Sequence, residues 1–399
     1  MRIVRIIVSS LAFAAVGAFA IAAPAQTVKI GVVDTFSGAQ ASFGEYTDKG
    51  FRLYIKLHQK DLPKGVKIEL INRDDGGLNP DRAKQLSQEL VTRDRVDLLA
   101  GGSFTPNGMA TAAVADQAKI PFVVTNAATP VVTAKFPYAV RFSFTIVQSV
   151  VPLATWAAQH YKTAYTLVSD YAPGWAAEKA FTDAFKAAGG TVLGDVRAPP
   201  QEIEFSPYLQ RIKDANPKVV MIFVPGGRSA TTVMKSFAAV GLARAGAKLV
   251  GPGESIVPDD ELPNMGDATI GVVDVTHYSA AATRPANRAF VDAWRKEYGA
   301  NTAPNFVAVA AWDGMDAIFQ AIRAQHGKLD PEKTLDILRH YKSDNSPRGP
   351  IAIDPKTRDI VQNEYLHEVR KVNGRIENVE IGIIARAVGG DGKPMTELP

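Results

Sequence analysis

The sequence predicts an α/β protein made of two doubly wound parallel-sheet lobes. Three observations carry that expectation. Short, near-continuous apolar runs alternate with amphipathic stretches from Val28 onward, the pattern of parallel strands buried on both faces by helices. The alternation restarts after Thr145 as a second βαβα series of similar plan. Several runs end in small, hydroxylated or glycyl residues, and ligands of open α/β sheets lie beyond the carboxyl ends of the strands.

Length and composition set the frame. The chain has 399 residues, 46% hydrophobic and 22% charged, enough for two or three globular domains. Its formal charge of +4 is spread without a block of like charges, which argues against nucleic acid or a membrane surface as partner. Residues 1–25 read as a cleaved signal peptide: Arg2 and Arg5, an uncharged apolar run from Ile6 to Ile21, then Ala23-Pro24-Ala25 as the processing site. The chain has no Cys, so it has no lipid-anchoring thiol, disulfide or thiolate metal site. The expectation is a protein released into the periplasm without a lipid anchor.

Taken in order, Val28 to Asp34 is the first strand, followed by a loop through Phe43 and a helix to about His58. Lys67 to Asn72 is the second strand, broken by Asp74-Asp75-Gly76-Gly77. Asn79-Pro80 then starts a helix with a cap residue and Pro at its first position. Val96 to Ala100 and Pro121 to Val124 are strands on either side of a short helix, Asn107 to Ala118. Ala139 to Phe144 closes the first series.

The second series runs through strands Ala164 to Asp170, Thr191 to Arg197, Val219 to Val224, Lys248 to Val250 and Ile270 to Val275, with helices between most of them. Helices Asn287 to Tyr298, Asn305 to Ala324 and Pro331 to Tyr341 follow. The middle one buries a single face through Val307, Ala311, Met315, Ile318 and Ile322. Ile351 to Asp354, Tyr365 to Arg370 and Ile376 to Ile384 read as antiparallel strands, and Gly389 to Pro399 as a frayed tail.

The stretch Val96 to Thr129 carries the strongest binding signal. Gly101, Gly102, Ser103 and Thr105 follow one strand; Thr125, Asn126, Ala127 and Thr129 follow the next. Small residues let backbone N–H groups approach a ligand, and hydroxyls near a helix start can donate to an anion. This is read as half of a site for a small carboxylate. Phe43, Phe104, Tyr171, Trp175 and Tyr278 lie near strand ends, where aromatic side chains can hold a planar ligand. Arg228 is a further candidate for a carboxylate, with a surface role as its plain alternative.

Catalysis finds little support. The six histidines show no metal-binding spacing, and GxSxG, GxxxxGK and GxGxxG motifs are missing. No catalytic residue, cofactor or metal is expected.

VKIGVVDTFSG at Val28, the Asp74-Asp75 turn with Pro80, LLAGG at Leu98, PFVVTNAAT at Pro121, LVSDYAPG at Leu167, GPGE at Gly251 and HYS at His277 together resemble one family. It is the periplasmic substrate-binding proteins of ABC importers, of the leucine/isoleucine/valine-binding, type I kind. The resemblance implies two lobes joined by three crossovers, near Thr145, Thr276 and Pro350. Lobe 1 is then residues 26–145 plus 277–350, and lobe 2 residues 146–276 plus 351–399. It also implies hinge closure on a ligand in the cleft, delivery to a membrane permease, and a monomer. Carboxylate-binding positions of the family fall on Thr105, Ala127 and Thr129, with Ser103 beside them, and an aromatic wall falls near Phe43.

The second lobe departs from that pattern. A ligand-packing Tyr is displaced, with Tyr171, Pro173 and Trp175 nearby. A second aromatic position falls on Gly226, and the acid that holds an α-ammonium falls on Gly253 or Glu254. The implied ligand is therefore a branched-chain or other amino acid, or an aromatic acid. A sensor module for a membrane receptor and a periplasmic hydrolase are the alternative readings.

Overall fold

The computed structural model describes residues 26–396 and 398–399. The signal peptide expected over residues 1–25 lies outside the described residues. Five strands form the first sheet: β1 (Gln26–Asp34), β2 (Val66–Asp74), β3 (Leu98–Gly101), β4 (Phe122–Val124) and β5 (Ala139–Arg141). Their order is β2-β1-β3-β4-β5 and every pairing is parallel, with Ile30 opposite Leu98 and Val33 opposite Gly101. The apolar character of β1 is explained by burial on both sides. Phe51 and Tyr54 of helix Ala41–His58 and Met315 and Ile318 of helix Phe306–Ala324 cover one face. Ala83, Leu90, Ala112 and Ala115 cover the other.

The second sheet contains β6 (Thr163–Ser169), β7 (Thr191–Ala198), β8 (Val219–Phe223), β9 (Lys248–Pro252), β10 (Val273–Thr276), β11 (Lys342–Ser343), β12 (Ile351–Ile353), β13 (Ile360–Val372) and β14 (Arg375–Val388). Along the main path the order is β11-β12-β13-β10-β9-β8-β6-β7, and β14 pairs with β13. From β7 to β10 it is parallel and doubly wound. Helices Ile146–His160 and Ala172–Ala187 cover one face, and Ser206–Ala215 and Gly227–Val240 the other. β13 reverses direction, so this sheet ends in an antiparallel ladder.

The chain passes between the sheets after β5, after β10 and again near β12. The first passage ends at Thr145, which forms a capping box with Gln148 at the start of helix Ile146–His160. Ile351 and Ile353 pair within the second sheet yet pack in the core of the first. Arg348 fastens these passages together. It is fully buried, with Nε 2.8 Å from Asp313 Oδ2, Nη1 2.9 Å from Ser143 O and Gln362 Oε1, and Nη2 2.6 Å from Phe142 O.

Two expectations change. Phe43 is in the first turn of a helix rather than in a loop. The segment after Gly389 is tied down as far as Met395: Gly389 N–H donates to Lys393 O at 2.9 Å and Met395 N–H to Ala387 O at 2.8 Å. Gly390 O accepts from Thr145 Oγ1 at 2.7 Å. Backbone groups make most of these bonds, so residue types gave little sign of them.

Candidate functional site

The carboxyl ends of β3 and β4 face those of β6, β8 and β9 across a cavity of about 50 Å³. Ser103, Phe104, Thr105, Asn126 and Ala128 line it from the first sheet; Tyr171, Pro173, Phe223, Val224, Pro225, Gly226, Glu254 and Ser255 line it from the second. Phe43, Phe144, Ile146 and Phe306 complete the wall. Six aromatic rings thus surround a space for a small solute. Phe43 meets Phe104 edge to face at 5.9 Å and Phe306 at 6.4 Å, while Tyr171 stacks on Phe223 at 6.2 Å. Such geometries fix ring planes as well as burying area.

The first-sheet end is a braced hydroxyl and backbone cluster. Helix Thr105–Ala118 begins at the cavity with its first-turn N–H groups lacking intrahelical acceptors, an arrangement suited to an anion. Thr105 Oγ1 lies 3.0 Å from Thr129 Oγ1, so one proton joins the two hydroxyls and the other is free to be donated. Arg141, fully buried, donates to the carbonyls of Ala127 and Thr129 and pairs with Asp359 at 2.8 Å. That guanidinium sets the path of the loop after β4. The Ser103 hydroxyl donates to Asp34, so its side chain is committed inward. Burial and the neighbouring Asp75 push the Asp34 carboxyl up to about 7, against hydrogen bonds from Thr47, Thr35 and Ser103 that lower it.

At the second-sheet end the ambiguity between Gly253 and Glu254 has a geometric answer. Glu254 lines the cavity and is 3% exposed, whereas a side chain at Gly253 would meet Asp274 Oδ1 at 2.2 Å. Glu254 Oε1 is 2.9 Å from His277 Nδ1 and accepts from Ser149 Oγ at 3.1 Å. Burial lowers the His277 pKa, with Glu254 acting in the opposite direction; burial and the charge of Glu254 raise Glu364 well above the carboxylate range. A neutral imidazole donating through Nδ1 fits this arrangement.

Phe43, Ser103, Phe104, Thr105, Tyr171, Gly226 and Glu254 of the sequence candidates come together here. Ala127 and Thr129 stand just behind, held by Arg141. Trp175 and Tyr278 do not line the cavity. Trp175 lies on the outer face of helix Ala172–Ala187, 48% exposed and bonded to Asp170 at 2.7 Å. Tyr278 is buried in a separate cluster against Phe290. Arg228 is exposed at the start of its helix. Phe144, Phe223 and Phe306 were missed: two sit within apolar runs that read simply as strands, and Phe306 begins a helix whose core stripe masks it. No group of three or more His, Cys, Asp or Glu able to hold a metal occurs among the described residues.

Two α/β sheets closing on a small cavity at their carboxyl ends define a solute-capturing receptor. The chain belongs to the periplasmic binding protein family, whose pattern matches residues 27–374, and within it to the Leu/Ile/Val-binding-like solute-binding proteins of ABC importers. That is a family of binding proteins, not of enzymes. Among the described residues no helix is long and apolar enough to cross a membrane.

The chain is 39% identical to the Leu/Ile/Val-binding protein homolog 6 of Brucella melitensis over 376 residues, 93% of this chain and 96% of that protein. A solute-binding protein of an ABC transporter from Rhodopseudomonas palustris BisB5, solved with 3,4-dihydroxybenzoic acid, is 42% identical with a TM-score of 0.85. The match covers 90% of this chain and 97% of that one. An R. palustris solute-binding protein solved with 4-hydroxybenzoate is 40% identical, also with a TM-score of 0.85, over 90% of this chain and 96% of that one.

Proposed function

We propose that this chain is the periplasmic receptor that captures an aromatic acid of the benzoate class and delivers it to the permease of an ABC importer. The observation that carries the reading is the wall of six aromatic rings around the cavity, closed at one end by the Thr105 cluster. A planar ring fits between faces and edges of this kind, and its carboxylate fits the hydroxyl and N–H donors at the helix start. The similar proteins solved with hydroxylated benzoates support the same choice.

In this reading the lobes are residues 26–145 plus 277–350 and residues 146–276 plus 351–399, moving about the three passages. The unliganded receptor is open. A ligand that touches Thr105 on one lobe and Tyr171 and Phe223 on the other stabilises the closed form by contacts the open form lacks. The closed monomer is what the permease recognises, after the signal peptide has directed the chain out of the cytoplasm.

The test is a thermal-shift titration of protein unfolded, dialysed and refolded to remove carried ligand. At a hundred times its dissociation constant a ligand adds about 2.7 kcal/mol. Benzoates should raise the midpoint and leucine, isoleucine and valine should not. A response to the amino acids alone would overturn the reading.

A further inference from the structure

The two oxygens of Glu254 are in different circumstances. Oε1 is engaged by His277 and Ser149, whereas Oε2, equally buried, has no hydrogen-bond partner among the described residues. A buried carboxylate oxygen left unpaired is unfavourable, so a donor supplied by the ligand would satisfy it. The side chain is also held in place. His277 is itself fully buried, stacked on Phe144 at 5.3 Å and edge-on to Phe306 at 6.5 Å, and both of those rings line the cavity.

The surroundings narrow the kind of donor. Ser255 Oγ both donates to Val224 O and accepts from Val224 N–H, so it has little left to offer. An ammonium brings three donors to one unengaged carboxylate oxygen, while a hydroxyl brings one. Thr105 belongs to the first-sheet side and Glu254 to the second. A ring whose carboxylate rests at Thr105 therefore directs its opposite carbon toward Glu254. A phenolic hydroxyl there ionises near pH 10, like that of Tyr, and keeps its proton at neutral pH.

We infer that Glu254, fixed by His277 and Ser149, reads the ring substituent: Oε2 accepts a hydrogen bond from a hydroxyl para to the carboxylate, giving preference to 4-hydroxylated benzoates over benzoate. This inference rests on the aromatic-acid reading above. It goes further by naming the residue that selects among aromatic acids and the atom through which it does so.

The experiment is isothermal titration of refolded, ligand-free wild-type protein with benzoate, 3-hydroxybenzoate, 4-hydroxybenzoate and 4-methoxybenzoate, repeated with Glu254→Gln. In the wild type, 4-hydroxybenzoate should bind about tenfold or more tighter than benzoate, and 4-methoxybenzoate, which has no proton to give, weaker than benzoate. In Glu254→Gln the ratio of 4-hydroxybenzoate to benzoate affinity should fall by about tenfold, and the methoxy compound should gain relative to both, because the amide can donate. Equal affinities of the wild type for benzoate and 4-hydroxybenzoate overturn the inference while leaving the aromatic-acid reading intact. So does an undiminished ratio in Glu254→Gln. Binding of leucine with no binding of any benzoate is a different result and removes the aromatic-acid reading itself. The wild-type series decides the matter even where the variant does not fold.

Discussion

Gly226, on the loop after β8, stands against the ring of Phe43 from helix Ala41–His58, which packs on the first sheet: a β-carbon on Gly226 would lie 3.2 Å from Phe43 Cζ. Its backbone, φ 45° and ψ −162°, is of a kind open essentially only to glycine. Gly226→Ala introduces backbone strain of about 1–3 kcal/mol. It also crowds Phe43. The expected outcome is a lower thermal midpoint together with benzoate affinity weakened by about tenfold, read by calorimetry. A lowered midpoint with full affinity would separate Gly226 from closure.

The Thr105 hydroxyl should matter more to the ligand than that of Thr129. Thr105 lines the cavity, while Thr129 braces it from behind at 3.0 Å. In the proposed reading Thr105 donates to the ligand carboxylate, so replacing it by the near-isosteric Val should cost about 1.5–3 kcal/mol of binding. Thr129→Val should weaken binding less, because the Thr105 hydroxyl remains available. Titration of both variants with benzoate checks the order.

The parts of the site legible in the sequence were those where strand, loop and helix start are contiguous. LLAGGSFT is such a stretch: the apolar run and the two glycines locate a strand end, and the helix read from Asn107 begins two residues earlier, at Thr105. The pairing of Glu254 with His277 was not legible, because it depends on how the ends of β9 and β10 sit side by side. Trp175 misled for a local reason. Pro173 marks the first turn of helix Ala172–Ala187, and Trp175, two residues further round, turns outward while Tyr171 and Pro173 face the cavity. Nothing in the sequence marks Arg141 or Arg348 for an interior role; both are fully buried and hold segments far apart in the chain.

Arg348 is expected to be indispensable to stability. Its guanidinium joins Asp313 to the carbonyls of Phe142 and Ser143 and to Gln362. Asp313 is held at about 6, raised by burial and opposed by Arg348. Arg348→Met leaves a buried carboxylate unpaired and should cost about 3–5 kcal/mol in urea unfolding at pH 7. Arg348→Lys should recover little, since an ammonium lacks the fork that reaches three segments. Without the guanidinium the Asp313 pKa rises further in the folded variant than in the wild type. The deficit of Arg348→Met should therefore shrink as pH falls from 7 to 5, and a deficit that grew would refute this account.

Asp34 supplies a second pH dependence, of a sign opposite to that of a salt-bridged acid. Its folded pKa is raised to about 7 by burial and by Asp75, above the value of about 3.9 for an unfolded Asp. Between pH 8 and 6 the folded chain takes up a proton at Asp34 that the unfolded chain does not, so this residue's contribution to stability increases as pH falls. Over that interval the gain is about 1 kcal/mol. The buried histidines act the other way. His277 is lowered in pKa and His367 is lowered to about 3, chiefly by burial, so the unfolded chain protonates them first as pH falls through about 6.5. The slope of the whole protein therefore mixes the two, and a difference measurement isolates Asp34. In Asp34→Asn the amide can still accept from Thr35 N–H and Ser103 Oγ, and can donate to Thr47 Oγ1 in place of the bond Thr47 now makes to the carboxylate. Denaturant unfolding of both proteins at pH 8 and pH 6 should show the wild type gaining about 1 kcal/mol relative to the variant. Ser103 joins Asp34 to the cavity wall, so the same comparison made with benzoate bound tells whether that proton is also felt by the ligand. Parallel slopes for wild type and Asp34→Asn would mean that Asp34 does not titrate in this range.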